Sequence, residues 1–78
     1  MKIIDFALYI GKLDDETDFE YAKLYPVIEP LSNDSKDYLR VVDESGEDYL
    51  YPTEYFQIIQ LNQETQVNLK HHFELALV

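Results

Sequence analysis

The side chains that could carry acid–base or nucleophilic chemistry are few in this chain of 78 residues. The two histidines, His71 and His72, are adjacent, and neighbouring positions on a helix point about 100° apart, so they cannot share a metal ion as an i, i+4 pair does. None of the three serines stands in the Gly-x-Ser-x-Gly turn that exposes a nucleophile. These serines are Ser32, Ser35 and Ser45. We therefore predict no catalytic residue, no metal site and no cofactor, so the protein is not expected to be an enzyme.

Carboxylates are abundant, with sixteen acidic side chains against six basic ones and a net charge of −10. General acid–base catalysis needs one carboxylate of a pair to be desolvated, whereas pairs in so acidic a chain arise from composition. Asp14, Glu16 and Asp18 have the alternate spacing of calcium ligands. However, Phe19 occupies the place where an EF-hand loop needs glycine, and the closing glutamate is missing. We expect a solvated acidic loop here and a solvated hairpin tip at 43–48.

The charge and the apolar pattern also limit the classes of partner. A strongly anionic surface repels phosphate backbones, so we predict no binding to nucleic acid. The sequence contains no apolar run near the roughly 18 residues that a membrane-spanning helix requires, so no membrane association is expected. The chain has no cysteine and hence no disulfide, which is compatible with a reducing compartment. We expect a soluble, cytoplasmic protein.

The aromatic side chains are the more informative set, because the chain has seven tyrosines and no tryptophan. Tyrosine combines a large apolar area with a polar hydroxyl group, which suits a protein interface. Tyr25 and Tyr51 are expected to fill or rim a small core. For Tyr38 and Tyr55, burial in the core and exposure at an interface are equally open.

The elements that must position these tyrosines are clearest in a predicted hairpin. Residues 38–42 and 49–51 are rich in β-branched and aromatic side chains, which favours two strands. Between them, Ser45-Gly46 fits the centre of a two-residue turn, because glycine adopts a positive φ without a Cβ clash. A longer, bulged loop is the alternative. In either case the two strands pair antiparallel.

Further strands are predicted after and before the hairpin. Pro52 removes a backbone donor and begins a 3-10 turn at 52–55, after which residues 56–61 resume as a strand. Residues 2–10 form the first strand, with alternate apolar side chains on a face that we assign to the core. These core-facing residues are Ile4, Phe6, Leu8 and Ile10.

The remaining predicted strand, residues 21–29, follows the acidic loop at 11–20. Phe19 is expected to turn inward and anchor that loop. We assign Tyr25 and Val27 to the core by alternation. Pro26 has no N–H group, so its position must face an edge or a bulge.

This order of elements resembles an SH3 domain. The turn Pro52-Thr53-Glu54-Tyr55 matches the Pro-x-x-Tyr turn that joins the last two strands in that family. Ala7-Leu8-Tyr9 is similar to the Ala-Leu-Tyr signature of its first strand, and residues 43–52 are similar to a stretch of small bacterial SH3-like barrel proteins. The resemblance covers residues 1–61 loosely and 37–60 well. It implies a mainly β fold, an SH3-like five-stranded partly open barrel with a 3-10 turn at 52–55 and a C-terminal α-helix.

The resemblance also implies a binding site. SH3 domains line their peptide groove with a tyrosine of the first strand, a tryptophan, and the proline and tyrosine of the turn. Carried over by position, the partner-binding residues are Tyr9, Tyr38, Pro52 and Tyr55, with Tyr38 in the place of the tryptophan. In that family the alanine of the signature faces the core, whereas alternation here favours Phe6 and Leu8. A bulge near Gly11, or partial burial of both faces, would reconcile the two.

Residues 62–78 lie beyond the barrel-like stretch 1–61 and are predicted to form a helix that packs on it, within a single domain. Asn62 is a good N-cap, and Glu64 suits the first turn. Apolar side chains fall on one face of this helix, at Leu69, Phe73, Ala76 and Leu77. Packing on its own barrel is the default, and docking on a second copy through Leu69, Phe73 and Leu77 is the alternative.

The predicted function is that of a non-catalytic protein–protein interaction or regulatory module. Two alternatives are open. One is a self-associating structural subunit that uses its C-terminal helix, and the other is an acidic inhibitor that occupies a basic partner protein. In each case the partner is a protein, which would be a second copy of this chain if the helix mediates self-association.

Overall fold

The computed structural model describes residues 2–11 and 18–76. These residues form five strands, a 3-10 turn and a helix. The strands are β1 (Ile3–Tyr9), β2 (Leu24–Ile28), β3 (Tyr38–Val42), β4 (Asp48–Pro52) and β5 (Phe56–Ile59), the 3-10 turn is Thr53–Tyr55, and the helix is α1 (Gln63–Ala76). Within the described residues, no helix is long and apolar enough to cross a membrane.

The strands pair antiparallel in one partly open sheet with the order β4-β3-β2-β1-β5. β4 and β5 are therefore the two edges of the sheet, and the 3-10 turn joins them directly. The radius of gyration is 12.0 Å, as expected for a compact chain of this length. The predicted fold class is confirmed, since the protein is mainly β with five antiparallel strands in a partly open sheet, a 3-10 turn and a C-terminal helix.

The buried side chains form two clusters. The inner aromatic cluster consists of Ala7, Tyr9, Phe19, Tyr25, Val27, Val41 and Phe56. The helix-covered cluster consists of Ile3, Phe6, Ile28 and Val42, with Leu24, Leu61, Leu69 and Phe73 packed against it. The predicted inward placement of Phe19, Tyr25 and Val27 is therefore confirmed.

β1 contributes to both clusters, which corrects the predicted alternation. Ala7 and Tyr9 are 0% and 1% exposed in the inner aromatic cluster, whereas Phe6 is buried in the helix-covered cluster. Of the four residues assigned to the core, three are exposed or half-buried: Ile4, Leu8 and Ile10. The alternation rule assumes that one face of the strand is solvated, and here the C-terminal helix covers part of the second face.

The β3–β4 hairpin closes through a loop at 43–47, because Val42 pairs with Asp48. The longer of the two predicted loops is thus confirmed. Gly46 has a φ of 84°, a conformation that a side chain with a Cβ adopts only at a cost. The N–H of Gly46 donates to the carbonyl of Asp43, and the N–H of Asp43 donates to the carbonyl of Glu47. Backbone bonds therefore fix the loop.

β2 is shorter than the predicted strand at 21–29, and Pro26 lies in the middle of the sheet and not at an edge. The N–H of Tyr9 donates to the carbonyl of Lys23 at 3.0 Å, so alternation along the ladder turns position 26 towards β3. The pairing of β2 with β3 is confined to Val27 and Val41. The missing N–H of Pro26 therefore faces a part of the sheet where the ladder is already interrupted.

The connection from β5 to α1 contains the predicted N-cap. β5 ends at Ile59, two residues before the predicted end of that strand. The side-chain oxygen Oδ1 of Asn62 accepts the N–H of Thr65 at 2.8 Å, and its carbonyl accepts the N–H of Gln66 at 3.0 Å. The capping prediction is confirmed, since Asn62 bonds an N–H group that has no partner within the helix.

α1 packs on the sheet of its own chain. Leu69 and Phe73 lie against the helix-covered cluster, and the ring centroids of Phe73 and Phe6 are 5.9 Å apart. The alternative of docking on a second copy requires these same two side chains, which here pack against the sheet of their own chain. Leu77, the third, lies outside the described residues.

The turn that precedes β2 contains a residue with a positive φ that is not glycine. Ala22 has a φ of 63°. Its N–H donates to the carbonyl of Tyr9 at 2.8 Å, and the N–H of the next residue, Lys23, donates to the carbonyl of Glu20. These bonds tie the turn to β1 and fix Ala22 in a left-handed conformation that its Cβ disfavours.

Ala22→Gly is expected to raise the free energy of unfolding by about 0.5–1 kcal/mol. Glycine relieves the roughly 1–2 kcal/mol that the left-handed conformation costs an L-residue, and the greater freedom of the unfolded chain offsets part of that gain. Urea unfolding at neutral pH measures the change, with Ala22→Val as a control that must lose stability. A clear loss of stability in Ala22→Gly would contradict the left-handed geometry.

Candidate partner-binding surface

Tyr9 does not reach the surface, which corrects its assignment as a partner-binding residue. Its side chain is 1% exposed and lies in the inner aromatic cluster, with ring centroids 4.9 Å from Phe19 and 5.5 Å from Phe56. The ring also covers Gly11, where an added Cβ would lie 2.7 Å from the Tyr9 hydroxyl oxygen. Tyr9 is therefore a core residue that requires a glycine two positions later.

Tyr38 and Pro52 lie together at the surface. They are directly opposite each other on β3 and β4, and Tyr38 is 46% exposed while Pro52 is half-buried. They line an open depression of about 540 Å³, which we call the tyrosine depression. Its lining is Lys36, Asp37, Tyr38, Pro52, Thr53 and Glu54. Tyr55 is half-buried, packs against the inner aromatic cluster and is not part of this lining.

The backbone fixes both walls of the tyrosine depression. The N–H of Thr53 donates to the carbonyl of Asp37 at 3.0 Å, which extends the β3–β4 ladder into the 3-10 turn. On the other side, Ser35 accepts two bonds, at its carbonyl from the N–H of Tyr38 and at its hydroxyl from the N–H of Asp37, both at 3.2 Å. Hydrogen bonds within the chain therefore hold both walls of the depression in place.

Arg40 connects the loop that precedes β3 with β4. Its Nε and Nη2 donate to the two carboxylate oxygens of Asp34 at 2.9 and 3.0 Å, and its Nη1 donates to Asp48 at 3.0 Å. The side chains of Arg40 and Asp34 are 16% and 6% exposed. The guanidinium holds the pKa of Asp34 below its usual range, because it bonds the ionised carboxylate. Asp34 also accepts the N–H of Leu31 at 2.9 Å, which closes the loop.

Sequence reasoning missed Arg40, although a signal was present. It is the only arginine of the chain, and it stands two residues after Tyr38 on the same predicted strand. Side chains two residues apart on a strand point to the same face of the sheet, so Arg40 lies on the same face as Tyr38. There it pairs with the carboxylates of Asp34 and Asp48. A fork-shaped cation in an acidic chain is a natural partner for paired carboxylates.

The hydroxyl group of Thr53 is the unusual polar group in the lining of the tyrosine depression. Its hydroxyl oxygen is buried and, within the described residues, has no hydrogen-bond partner. Thr53 lies in the first position of the 3-10 turn, directly after Pro52, whose φ of −55° and ψ of 130° lead into that turn. Thr53 thus adds to the lining of the depression a hydroxyl that makes no hydrogen bond to the described residues.

The acidic hairpin tip is not simply solvated, which corrects that expectation. Asp43 is 5% exposed, and its carboxylate accepts the N–H of Ser45 at 2.8 Å and also the hydroxyl of Ser45. The hydroxyl of Tyr51 donates to the same carboxylate at 2.6 Å. Burial and this bond raise the pKa of Tyr51 above its ordinary value. Asp43 thus organises the loop from inside.

Glu44 joins the hairpin to the start of β2. Its carboxylate accepts Lys23 Nζ and the hydroxyl of Tyr25, each at 2.7 Å. The Tyr25 hydroxyl in turn accepts the N–H of Glu20 at 2.6 Å, and the N–H of Glu44 donates to the carbonyl of Asp18 at 3.0 Å. The bonds from Lys23 and then Tyr25 lower the pKa of Glu44. We call Lys23, Tyr25 and Glu44 the hairpin latch.

The side chains with potential catalytic chemistry are not brought together in the described part of the chain. His71 and His72 are exposed on α1, where His72 has an edge contact with the ring of Phe73. Within residues 2–11 and 18–76, no three histidine, aspartate or glutamate side chains are placed to hold a metal ion. Asp14 and Glu16 of the considered calcium loop lie outside the described residues.

Glu44→Gln is expected to lower the free energy of unfolding at neutral pH by no more than about 1 kcal/mol, because the side chain is 40% exposed and water screens the latch. Since the folded-state pKa of Glu44 lies below 4.5, its contribution is fully present above that pH and is lost as pH falls through the folded pKa. Denaturant unfolding at neutral and acid pH, with the exposed Glu29→Gln as control, measures this. An equal loss at both pH values would contradict the latch.

No protein-family model, curated protein or solved structure matches this chain. The function of the tyrosine depression is therefore inferred from its own residues. These residues combine an exposed ring, a proline, a buried threonine hydroxyl and two carboxylates on a fixed backbone.

Proposed function

We propose that the protein is a non-catalytic protein-interaction module whose partner docks on the tyrosine depression. The observation that carries this proposal is the exposed ring of Tyr38 beside Pro52, above an open depression of about 540 Å³. Tyrosine supplies a large, rigid contact area with a polar tip, and such residues dominate the energy of many interfaces. A partner covers this ring without any rearrangement of the two strands below it.

The rigidity of the surroundings supports a binding role. Arg40 is held by Asp34 and Asp48, and the N–H of Thr53 is held by the carbonyl of Asp37. A side chain presented on such a support loses little freedom when a partner covers it, so more of the contact energy appears as affinity. The core does not need the exposed part of Tyr38, since neither buried cluster includes this residue.

The SH3 resemblance supports the same surface in part. The hairpin, the 3-10 turn and the last strand follow one another in the order that the resemblance implies. Tyr38 and Pro52, two of the groove residues that the resemblance implies, lie opposite each other on β3 and β4. Tyr9 is buried, and Tyr55 lies outside the lining of the depression. We therefore propose a recognition surface centred on Tyr38 and Pro52, smaller than the groove of four residues.

A second candidate is an acidic inhibitor that occupies a basic partner, and the net charge of −10 favours it. Against it stands the use of several carboxylates inside the fold, since Asp34, Asp48 and Glu44 are in ion pairs and Asp43 is buried. Self-association through α1 has less support, because Leu69 and Phe73 already contact the sheet.

Tyr38→Ala is expected to abolish capture of the partner, whereas Tyr49→Ala is expected to retain it. The two tyrosines are a matched pair, 46% and 49% exposed on neighbouring strands, and only Tyr38 lines the tyrosine depression. The tagged chain and both variants are incubated with lysate of the source cell, and the retained proteins are identified by mass spectrometry. Circular dichroism verifies that each variant is folded.

Three outcomes of this capture experiment are informative. A protein retained by the parent chain and by Tyr49→Ala, but lost with Tyr38→Ala, supports the proposal. A protein retained equally by all three chains contradicts the assignment of the surface. A protein lost progressively with added salt in all three chains favours the acidic inhibitor, because screening weakens charge-driven contacts.

A further inference from the structure

A second depression lies beside the first and is mainly apolar. Its volume is about 370 Å³, and we call it the apolar depression. Three of its side chains are large, apolar and exposed, namely Ile4 at 40%, Leu31 at 58% and Tyr38 at 46%. Pro30, the half-buried Leu39 and the buried Val27 and Ile28 add to this apolar lining. Exposed apolar side chains that gather at one concave place mark an interaction site more strongly than single ones do.

The two depressions share residues. Lys36 and Tyr38 line both of them, so the ring of Tyr38 is a common wall. The loop before β3 contributes residues to both depressions, and its Asp34 accepts the N–H of Leu31 and the guanidinium N–H groups of Arg40. Leu31 is therefore exposed on an ordered loop. One continuous segment of a partner can contact both depressions by passing over Tyr38.

The charges around the two depressions favour a cationic partner. Arg40 and Lys36 are the two cations that line the apolar depression, and Arg40 is already bonded to the carboxylates of Asp34 and Asp48. In the tyrosine depression, Lys36 is the one basic side chain of the lining and stands beside two carboxylates, Asp37 and Glu54. The two linings together thus contain two cations and three carboxylates, and Arg40 also bonds a fourth carboxylate, Asp48, in a chain whose net charge is −10. An anionic segment meets repulsion here, whereas a basic one gains attraction.

We propose that the apolar depression receives an apolar side chain of the partner, next to a lysine or arginine that lies over Asp37 and Glu54. This inference rests on the proposed function and names the chemistry that the partner presents. A second copy of this chain is a poor occupant, because two chains of net charge −10 repel each other and each presents carboxylates at this place. The occupant is therefore a different protein, with a basic and apolar segment.

The test uses two short capped probes that differ in the sign of one side-chain charge. Ac-Leu-Lys-NH2 and Ac-Leu-Glu-NH2 are titrated into the full-length, ¹⁵N-labelled chain, and amide chemical shifts are followed by NMR. The lysine probe is expected to bind with a dissociation constant on the order of 1–10 mM, as ligands of this size do. Its shifts should concentrate on Ile4, Leu31 and Tyr38, and the glutamate probe should produce none there.

Matched variants separate the apolar contact from the charge. Leu31→Ser should weaken the lysine probe by about tenfold, because it removes the apolar wall. Val67→Ser, at a residue that is also 58% exposed but lies on α1, should have no effect. Lys36→Glu should strengthen binding about twofold to threefold, since it adds a negative charge beside Asp37 and Glu54. All three sites are exposed, so the fold should tolerate these changes.

Several outcomes would overturn this inference. The first is equal binding of the two probes, and the second is a set of chemical-shift changes centred away from the apolar depression. The third is that the lysine probe does not bind at a concentration of roughly 20 mM. Sedimentation that shows a dimer dissociated by Leu31→Ser would identify a second copy as the occupant and also overturn it. A captured partner that is lost with Tyr38→Ala but retained with Leu31→Ser would overturn this inference while the proposed function stands.

Discussion

The ring of Phe19 is the contact on which the rest of the fold depends. It stacks on Tyr9 at 4.9 Å and meets the rings of Tyr25, Tyr51 and Phe56 edge-on at 4.8, 4.6 and 5.2 Å. These partners belong to β1, β2, β4 and β5, so one side chain from outside the strands joins four of the five. Each such aromatic pair stabilises the fold by about 0.5–1.5 kcal/mol beyond the contribution of the apolar area that it buries. The contacts of Phe19 therefore supply a large share of the stability of so small a core.

The charged side chains are arranged around this aromatic centre. The hydroxyl groups of Tyr25 and Tyr51 extend from the buried rings to the carboxylates of Glu44 and Asp43. Each of these two tyrosines therefore buries its ring in the core while its hydroxyl group makes a hydrogen bond to a carboxylate. The consequence for function is indirect. These contacts hold the hairpin in place, and Tyr38 belongs to neither buried cluster. The strand that carries Tyr38 is therefore held by other residues.

The local chemistry of the sequence was enough to predict much of the fold. The positive φ of Gly46 and the cap at Asn62 each follow from one residue's own backbone or side-chain preference, and both are as predicted, while the loop around Gly46 is the longer alternative and the 3-10 turn begins one residue after Pro52. What sequence could not give is which side of β1 lies under the helix, because that depends on where residues distant in the chain return to the sheet. The burial of Tyr9 and the bonds of Asp43 depend on such distant contacts too, whereas the pairing of Arg40 with carboxylates had a signal in the sequence.

The measurement that tests this account most directly is the stability of Phe19→Leu in denaturant. Leucine keeps an apolar side chain at this position but removes the ring and its contacts. We predict a loss of about 1–2 kcal/mol in the free energy of unfolding, against a change within about 0.5 kcal/mol for Tyr21→Leu, a nearby aromatic residue that is 54% exposed. Equal losses in the two variants would contradict the central place given to Phe19.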